Sequence, residues 1–225
     1  MLRAVLFDLD GTIVDTPQAI VDVTQATLAA LGREPVPAQA IRDGIGLPLP
    51  QALAELLGTG PAGASEAVEI YRTLWRTHVT PRIPELVYPG VREGITELRA
   101  LGLRLGVVTG KAQEGAEATV ELAGLRGQME VVLGYTSVPR GKPAPDLAVE
   151  ALRRLRVPPE QAAVVGDSEL DVQMAAAAGV RAIAVTYGAQ PAAQLRGATW
   201  FAGSFAEVVR IVREEATLGP CPSPA

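Results

Sequence analysis

An apolar run at residues 4–7 ends on Asp8-Leu9-Asp10-Gly11-Thr12, and the next credible strand does not come until residue 104. The run has the β-branched and aromatic content of a buried strand, and Gly11 stops it. From Thr16 to about Val79 the chain reads as helix throughout. Thr16 is placed to cap a helix over 16–31, Pro17 suits its first turn, and Ile20, Val23, Thr24, Thr27, Leu28 and Leu31 share one face. Short helices follow over 37–41 and 51–57, separated by Gly44-Ile45-Gly46-Leu47-Pro48, and a longer one covers 65–77. Residues 80–89 hold three prolines and read as a return linker. A strandless block of this length is expected to be an inserted helical domain rather than a crossover within a sheet.

After the linker the pattern alternates. Helices are expected over 91–100, 113–122, 146–155, 170–178 and 204–215, and strands over 104–108, 130–133, 162–165 and 181–185. Strands alternating with helices of this length predict an α/β fold with a doubly wound parallel sheet. The expected division is a core of residues 1–15 and 88–218, a helical cap of 16–87, and a disordered tail of 219–225 that holds Cys221. With one cysteine there is no internal disulfide and no cysteine metal site, and Cys221 is given no role. A net charge of −5 argues against a nucleic-acid or anionic-membrane partner. No apolar run reaches membrane-spanning length and no signal-peptide pattern precedes the first strand, so a cytoplasmic location is expected.

Side chains two apart on an extended chain point the same way, so Asp8 and Asp10 should project together from the strand's carboxyl end. Open α/β sheets bind their ligands at that end. Two carboxylates this close repel unless a cation lies between them, and Mg²⁺ takes oxygen ligands while leaving positions open for a phosphate. Other strand ends add Thr109-Gly110-Lys111 and Asp167-Ser168 with Asp171, and a loop adds Gly141-Lys142-Pro143. The chain has eighteen arginines and only two lysines, Lys111 and Lys142, so a lysine here marks a place that wants a compact ammonium.

This set resembles the haloacid-dehalogenase-type hydrolase superfamily, through Asp8-Leu9-Asp10-Gly11-Thr12, Thr109, Gly141-Lys142-Pro143 with Pro145-Asp146, and Gly166-Asp167-Ser168 with Asp171. The superfamily also places a mobile cap just after the first strand. The resemblance implies a Rossmann-like core and a phosphatase of the phosphoglycolate phosphatase type, acting on a small phosphorylated metabolite with Mg²⁺, as monomer or homodimer. It implies that Asp8 is the nucleophile and forms an aspartyl-phosphate, that Asp10 is the general acid and base, and that Thr12 steadies Asp10. Asp8, the Asp10 backbone carbonyl and Asp167 would bind the metal, with Asp171 supporting from behind. Thr109 and Gly110 would hold phosphate oxygens, Lys111 would face the substrate, and Lys142 would offset charge in the transition state.

The same resemblance leaves a sugar phosphomutase and a pyrophosphate- or nucleotide-cleaving phosphatase open. A phospho-accepting receiver module is the alternative from another class, disfavoured by the cap and by Asp10. A Schiff-base phosphonate cleavage is excluded in the superfamily's form, because residues 16–87 contain no lysine. The loop from Arg42 to Pro48 is expected over the site, with Arg42 as a candidate substrate contact. Arg72 and Arg76 are candidates on the same footing for contacting a carboxylate or second phosphate, and His78 is a weaker one, although arginines on amphipathic helices are usually solvated or paired.

Overall fold

The structure, a computed structural model, describes residues 1–217; the expected tail and Cys221 lie outside the described residues. The strands are β1 (Ala4–Phe7), β2 (Arg104–Thr109), β3 (Val131–Gly134), β4 (Ala162–Gly166), β5 (Arg181–Val185) and β6 (Trp200–Ala202). They form one sheet in the order β3-β2-β1-β4-β5-β6, every pair parallel. In the central register Phe7 of β1 lies beside Val107 of β2 and Val165 of β4. The strand order reverses between β1 and β4, and the crevice at the carboxyl end of such a reversal is where open sheets bind ligands.

Alternate residues of β1 feed two cores. Val5 and Phe7 join one with α5 (Val91–Ala100), α6 (Gln113–Leu122) and α9 (Phe205–Thr217). Ala4 and Leu6 join the other with α7 (Asp146–Leu155) and α8 (Glu169–Ala177). Period-two alternation in a strand covered on both faces requires this arrangement. Phe7 is fully buried, with its ring centroid 5.9 Å from that of Phe205. On α7, Leu147, Ala148, Ala151, Leu152 and Leu155 form the apolar stripe that seals the second core.

Between β1 and β2 comes a helical insertion of α1 (Pro17–Ala30), α2 (Ala38–Asp43), α3 (Leu49–Leu57) and α4 (Ser65–His78). The chain leaves and returns through one narrow crossing. Asp15 donates its N–H to the Leu86 carbonyl at 2.7 Å, Tyr88 donates to that of Ile13 at 3.0 Å, and Val14 and Val87 form an antiparallel bridge. Among the described residues no helix is long and apolar enough to cross a membrane.

Two local expectations need correction. Residues 200–202 form the edge strand β6, which sequence periodicity did not predict; three residues with Phe201 half exposed give no pattern to read. Thr16 precedes α1 but makes no side-chain cap. Its hydroxyl is committed to Asp10 instead, at 2.5 Å.

Candidate active site

The carboxyl ends of the parallel strands deliver the acidic groups to one rim. Asp8 follows β1, Asp167 follows β4, Asp171 sits in the first turn of α8, and Lys142 comes from the loop between β3 and α7. The ladder continues past β1, with the Asp8 N–H bonded to the Val165 carbonyl at 2.9 Å, so the Asp8 backbone is fixed by the sheet itself. One carboxylate oxygen from each of Asp8, Asp167 and Asp171 lies within 4.8 Å of the others, and all three residues are buried.

Lys142 binds two of these acids. Its Nζ is 2.6 Å from Asp8 Oδ1 and 2.5 Å from Asp171 Oδ1, with no exposure of its side chain. Asp171 is held at its other end by Ser168, which donates from its backbone N–H and its hydroxyl to Asp171 Oδ2 and accepts the Asp171 N–H on Oγ. This reciprocal cap fixes the start of α8 and aims Asp171 at Lys142. Asp167 accepts from Thr12 Oγ1 at 3.1 Å and from the Ala189 N–H at 2.6 Å. Thr12 therefore supports Asp167, not Asp10 as expected.

The charges do not balance on their own. Burial pushes the Asp8 carboxyl up from 3.8 to about 7; Lys142 pulls against this, while Asp171 and Asp10 add to it. Asp167 is likewise pushed well above the usual carboxylate range, by burial and then by the charges of Asp8 and Asp171. Burial favours a neutral Lys142, but Asp171 and Asp8 together outweigh it and keep the ammonium charged. Three buried carboxylates face one ammonium, a deficit that a divalent cation with oxygen ligands would neutralise. The donor set thus fits a hard divalent cation.

Asp10 has a separate environment. Thr16 donates to its Oδ1, and Lys111 Nζ lies 3.0 Å from its Oδ2. The Lys111 ammonium also lies 4.2 Å from the ring centre of Trp75 on α4, a cation–π contact between core and insertion. Thr109, at the end of β2, is buried with its hydroxyl accepting the Lys111 N–H. At Gly110 a Cβ would stand 2.2 Å from the Gly46 carbonyl oxygen, so the loop between α2 and α3 rests directly on the core beside the rim. That loop lies where the sequence expects it. Arg42, however, does not line the cavity over the site; it donates to Gln18 on α1 at 2.6 Å. His78 is exposed and also absent from that lining, whereas Arg72 and Arg76 reach it.

The sequence pattern of the haloacid dehalogenase-like hydrolase family matches residues 5–185. The chain belongs to that family. It is 39% identical over 213 residues to the probable phosphatase IndB of Dickeya dadantii, covering 93% of each chain. It is 35% identical over 222 residues to a phosphoglycolate phosphatase of Chromobacterium violaceum, covering 94% of this chain and 97% of that one. A solved haloacid dehalogenase-like hydrolase from Streptococcus pneumoniae superposes with a TM-score of 0.80 at 28% identity, covering 94% of this chain and 98% of that one. The chain is therefore an enzyme with the haloacid dehalogenase-like α/β fold and phosphatase homologues.

Several side chains around the rim of this family member escaped the sequence reading. Thr16 looks like a helix cap until the turn at 11–14 folds it back onto Asp10. The segment 187–189 carries no motif, yet Tyr187 donates to the Thr12 carbonyl and Ala189 to Asp167. Only Ser168-Glu169-Leu170-Asp171 had a readable signal, as a Ser with an acid three residues on at a helix start.

Proposed function

We propose that this enzyme hydrolyses a phosphomonoester through an aspartyl-phosphate on Asp8, with Mg²⁺ as cofactor. The observation that carries the reading is the buried cluster of Asp8, Asp167 and Asp171 with Lys142 bridging two of them at the sheet's carboxyl rim. Mg²⁺, held by Asp8, Asp167 and the Asp10 carbonyl, would supply the positive charge that lets a phosphate dianion approach an ionised carboxylate.

In the first step an Asp8 oxygen bonds to phosphorus as the ester P–O bond breaks, and Asp10 gives its proton to the departing alkoxide. In the second, Asp10 takes a proton from water as that water attacks phosphorus, releasing phosphate and the Asp8 carboxylate. Thr16 fixes the direction in which Asp10 presents its carboxyl. Lys142, pinned by Asp171, offsets charge gathering at Asp8 and the phosphoryl oxygens, and Thr109 with the Gly110 N–H receives the others. Asp171, with both oxygens already engaged, works by holding Lys142. Residues 16–87 act as a cap that turns about the crossing at 13–15 and 86–88, excluding bulk water in the first step and admitting one in the second. A receiver module would need neither a proton donor for a leaving alkoxide nor a helical insertion over the rim.

Release of phosphate from an aryl phosphate is expected with Mg²⁺, to vanish with a chelator and to return when Mg²⁺ is restored. Chelator-insensitive turnover would refute the metal assignment. A second outcome concerns the support of Asp167. A Cβ on Gly188 would lie 2.4 Å from both Asp167 Cβ and Asp167 Oδ2 and 2.4 Å from the Gly11 carbonyl oxygen. Gly188→Ala must therefore displace Asp167, and the Mg²⁺ concentration giving half-maximal turnover should rise roughly 10–100-fold. An unchanged Mg²⁺ dependence would show that Asp167 does not hold the cation.

A further inference from the structure

The cavity over Asp8 and Asp10 measures about 800 Å³. That lies within the roughly 300–1,000 Å³ typical of pockets for drug-sized ligands, far beyond what a two-carbon phosphoester fills. Its two sides differ. The core side presents Asp8, Asp10, Thr109 and Lys111; the insertion presents Ile41, Ile45, Leu53, Tyr71 and Trp75. Tyr71 and Trp75 lie one turn apart on α4 with their rings stacked, centroids 5.8 Å apart and 14° between planes. Lys111 joins this pair to Asp10, since its Nζ is 4.2 Å from the Trp75 ring centre and 3.0 Å from Asp10 Oδ2. In the proposed reaction Asp10 protonates the ester oxygen, so whatever that oxygen carries must begin beside Lys111 and extend along the aromatic pair.

The charges on the walls argue against an acidic leaving group. Asp43, Glu55, Glu69 and Glu114 line the cavity against Arg72 and Arg76, all six exposed, so this part of the wall carries a net negative charge that disfavours a second carboxylate. Of the insertion's cations on the wall, Arg72 is exposed and paired with Glu69 at 2.9 Å, and Arg76 is exposed. No buried arginine from the insertion faces the cavity among the described residues.

Building on the phosphatase reading, we infer that the substrate is a phosphomonoester whose uncharged leaving group carries a flat ring, of nucleoside or aryl type, with Tyr71 and Trp75 as its specificity wall. A phosphoester of a small hydroxy acid would leave most of the volume and the aromatic pair unfilled.

The test compares kcat/KM with Mg²⁺ for adenosine 5′-monophosphate, phenyl phosphate, ribose 5-phosphate and 2-phosphoglycolate. The better of the two esters with a flat aromatic ring should exceed both that lack one by roughly 10-fold or more, the scale of ring stacking on an aromatic side chain. A preference for phenyl phosphate would assign recognition to the ring alone, and one for the nucleotide to ring and sugar together; both support the inference. Trp75→Leu should collapse the ratio of aromatic to non-aromatic ester turnover several-fold, and Trp75→Phe should keep most of it. Using the ratio cancels any effect through Lys111, which acts on every ester alike. Non-aromatic esters matching or exceeding the others in the wild type, or Trp75→Leu leaving the ratio unchanged, would overturn the inference while sparing the phosphatase reading. No turnover of any of the four would overturn both.

Discussion

Asp8→Asn is expected to lower Mg²⁺-dependent phosphate release by roughly four orders of magnitude or more, the scale on which removal of an attacking group is felt. The amide cannot form the acyl phosphate, so no phosphoenzyme should be trapped. The fold should survive. Asp8 is buried with its carboxyl raised from 3.8 to about 7, so in the cation-free protein ionised Asp8 costs stability as pH rises through that window. A neutral amide of the same shape removes this cost, although Lys142 then faces Asp171 alone. Without added cation, the variant should melt close to the wild type above pH 7. Kinetics and melting together decide the role: full turnover would remove Asp8 as nucleophile, and loss of turnover with loss of fold would leave it structural.

The acidic rim was legible in the sequence because strand ends are legible. Once 4–7 and 162–165 read as buried parallel strands, Asp8 and Asp167 had to emerge on the same side of one sheet. Lys142 stood out by its rarity among the cations. What depends on three-dimensional return was hidden. Thr16 carried a signal for capping, which is local, and its bond to Asp10 arises from a turn whose path the sequence leaves open. The 187–189 segment acts through the Tyr187 hydroxyl, the Ala189 N–H and close packing at Gly188, and no local pattern marks where these groups return to the rim. Tyr71 and Trp75 sit on an amphipathic helix, and periodicity marks a buried face without saying whether it meets a core or a cleft. Arg42 failed for the same reason: its charge was visible, but its direction toward Gln18 was not.

Lys142→Met should be the most destabilising single change at the site. The ammonium lies between Asp8 and Asp171, with none of its side chain exposed and 3% of each partner's. Removing one member of such a buried set leaves uncompensated charge, at a cost of about 3–5 kcal/mol. At roughly 2–4 °C per kcal/mol for a chain of this size, the melting temperature should fall by about 6–20 °C. The deficit has a pH signature. Without the ammonium the Asp8 carboxyl, already raised by burial, is pushed further up, so the folded state binds more protons than the unfolded one. The loss should therefore be greatest above pH 7 and shrink as pH falls and Asp8 is neutralised. Lys142→Arg tests the shape of the charge: a planar guanidinium does not fit where one Nζ makes 2.6 and 2.5 Å contacts to two acids, so charge alone should not restore turnover. A Lys142→Met protein that melts like the wild type at all pH values would mean that Asp8 and Asp171 are not held by this ammonium, and the electrostatic account of the rim would fall with it.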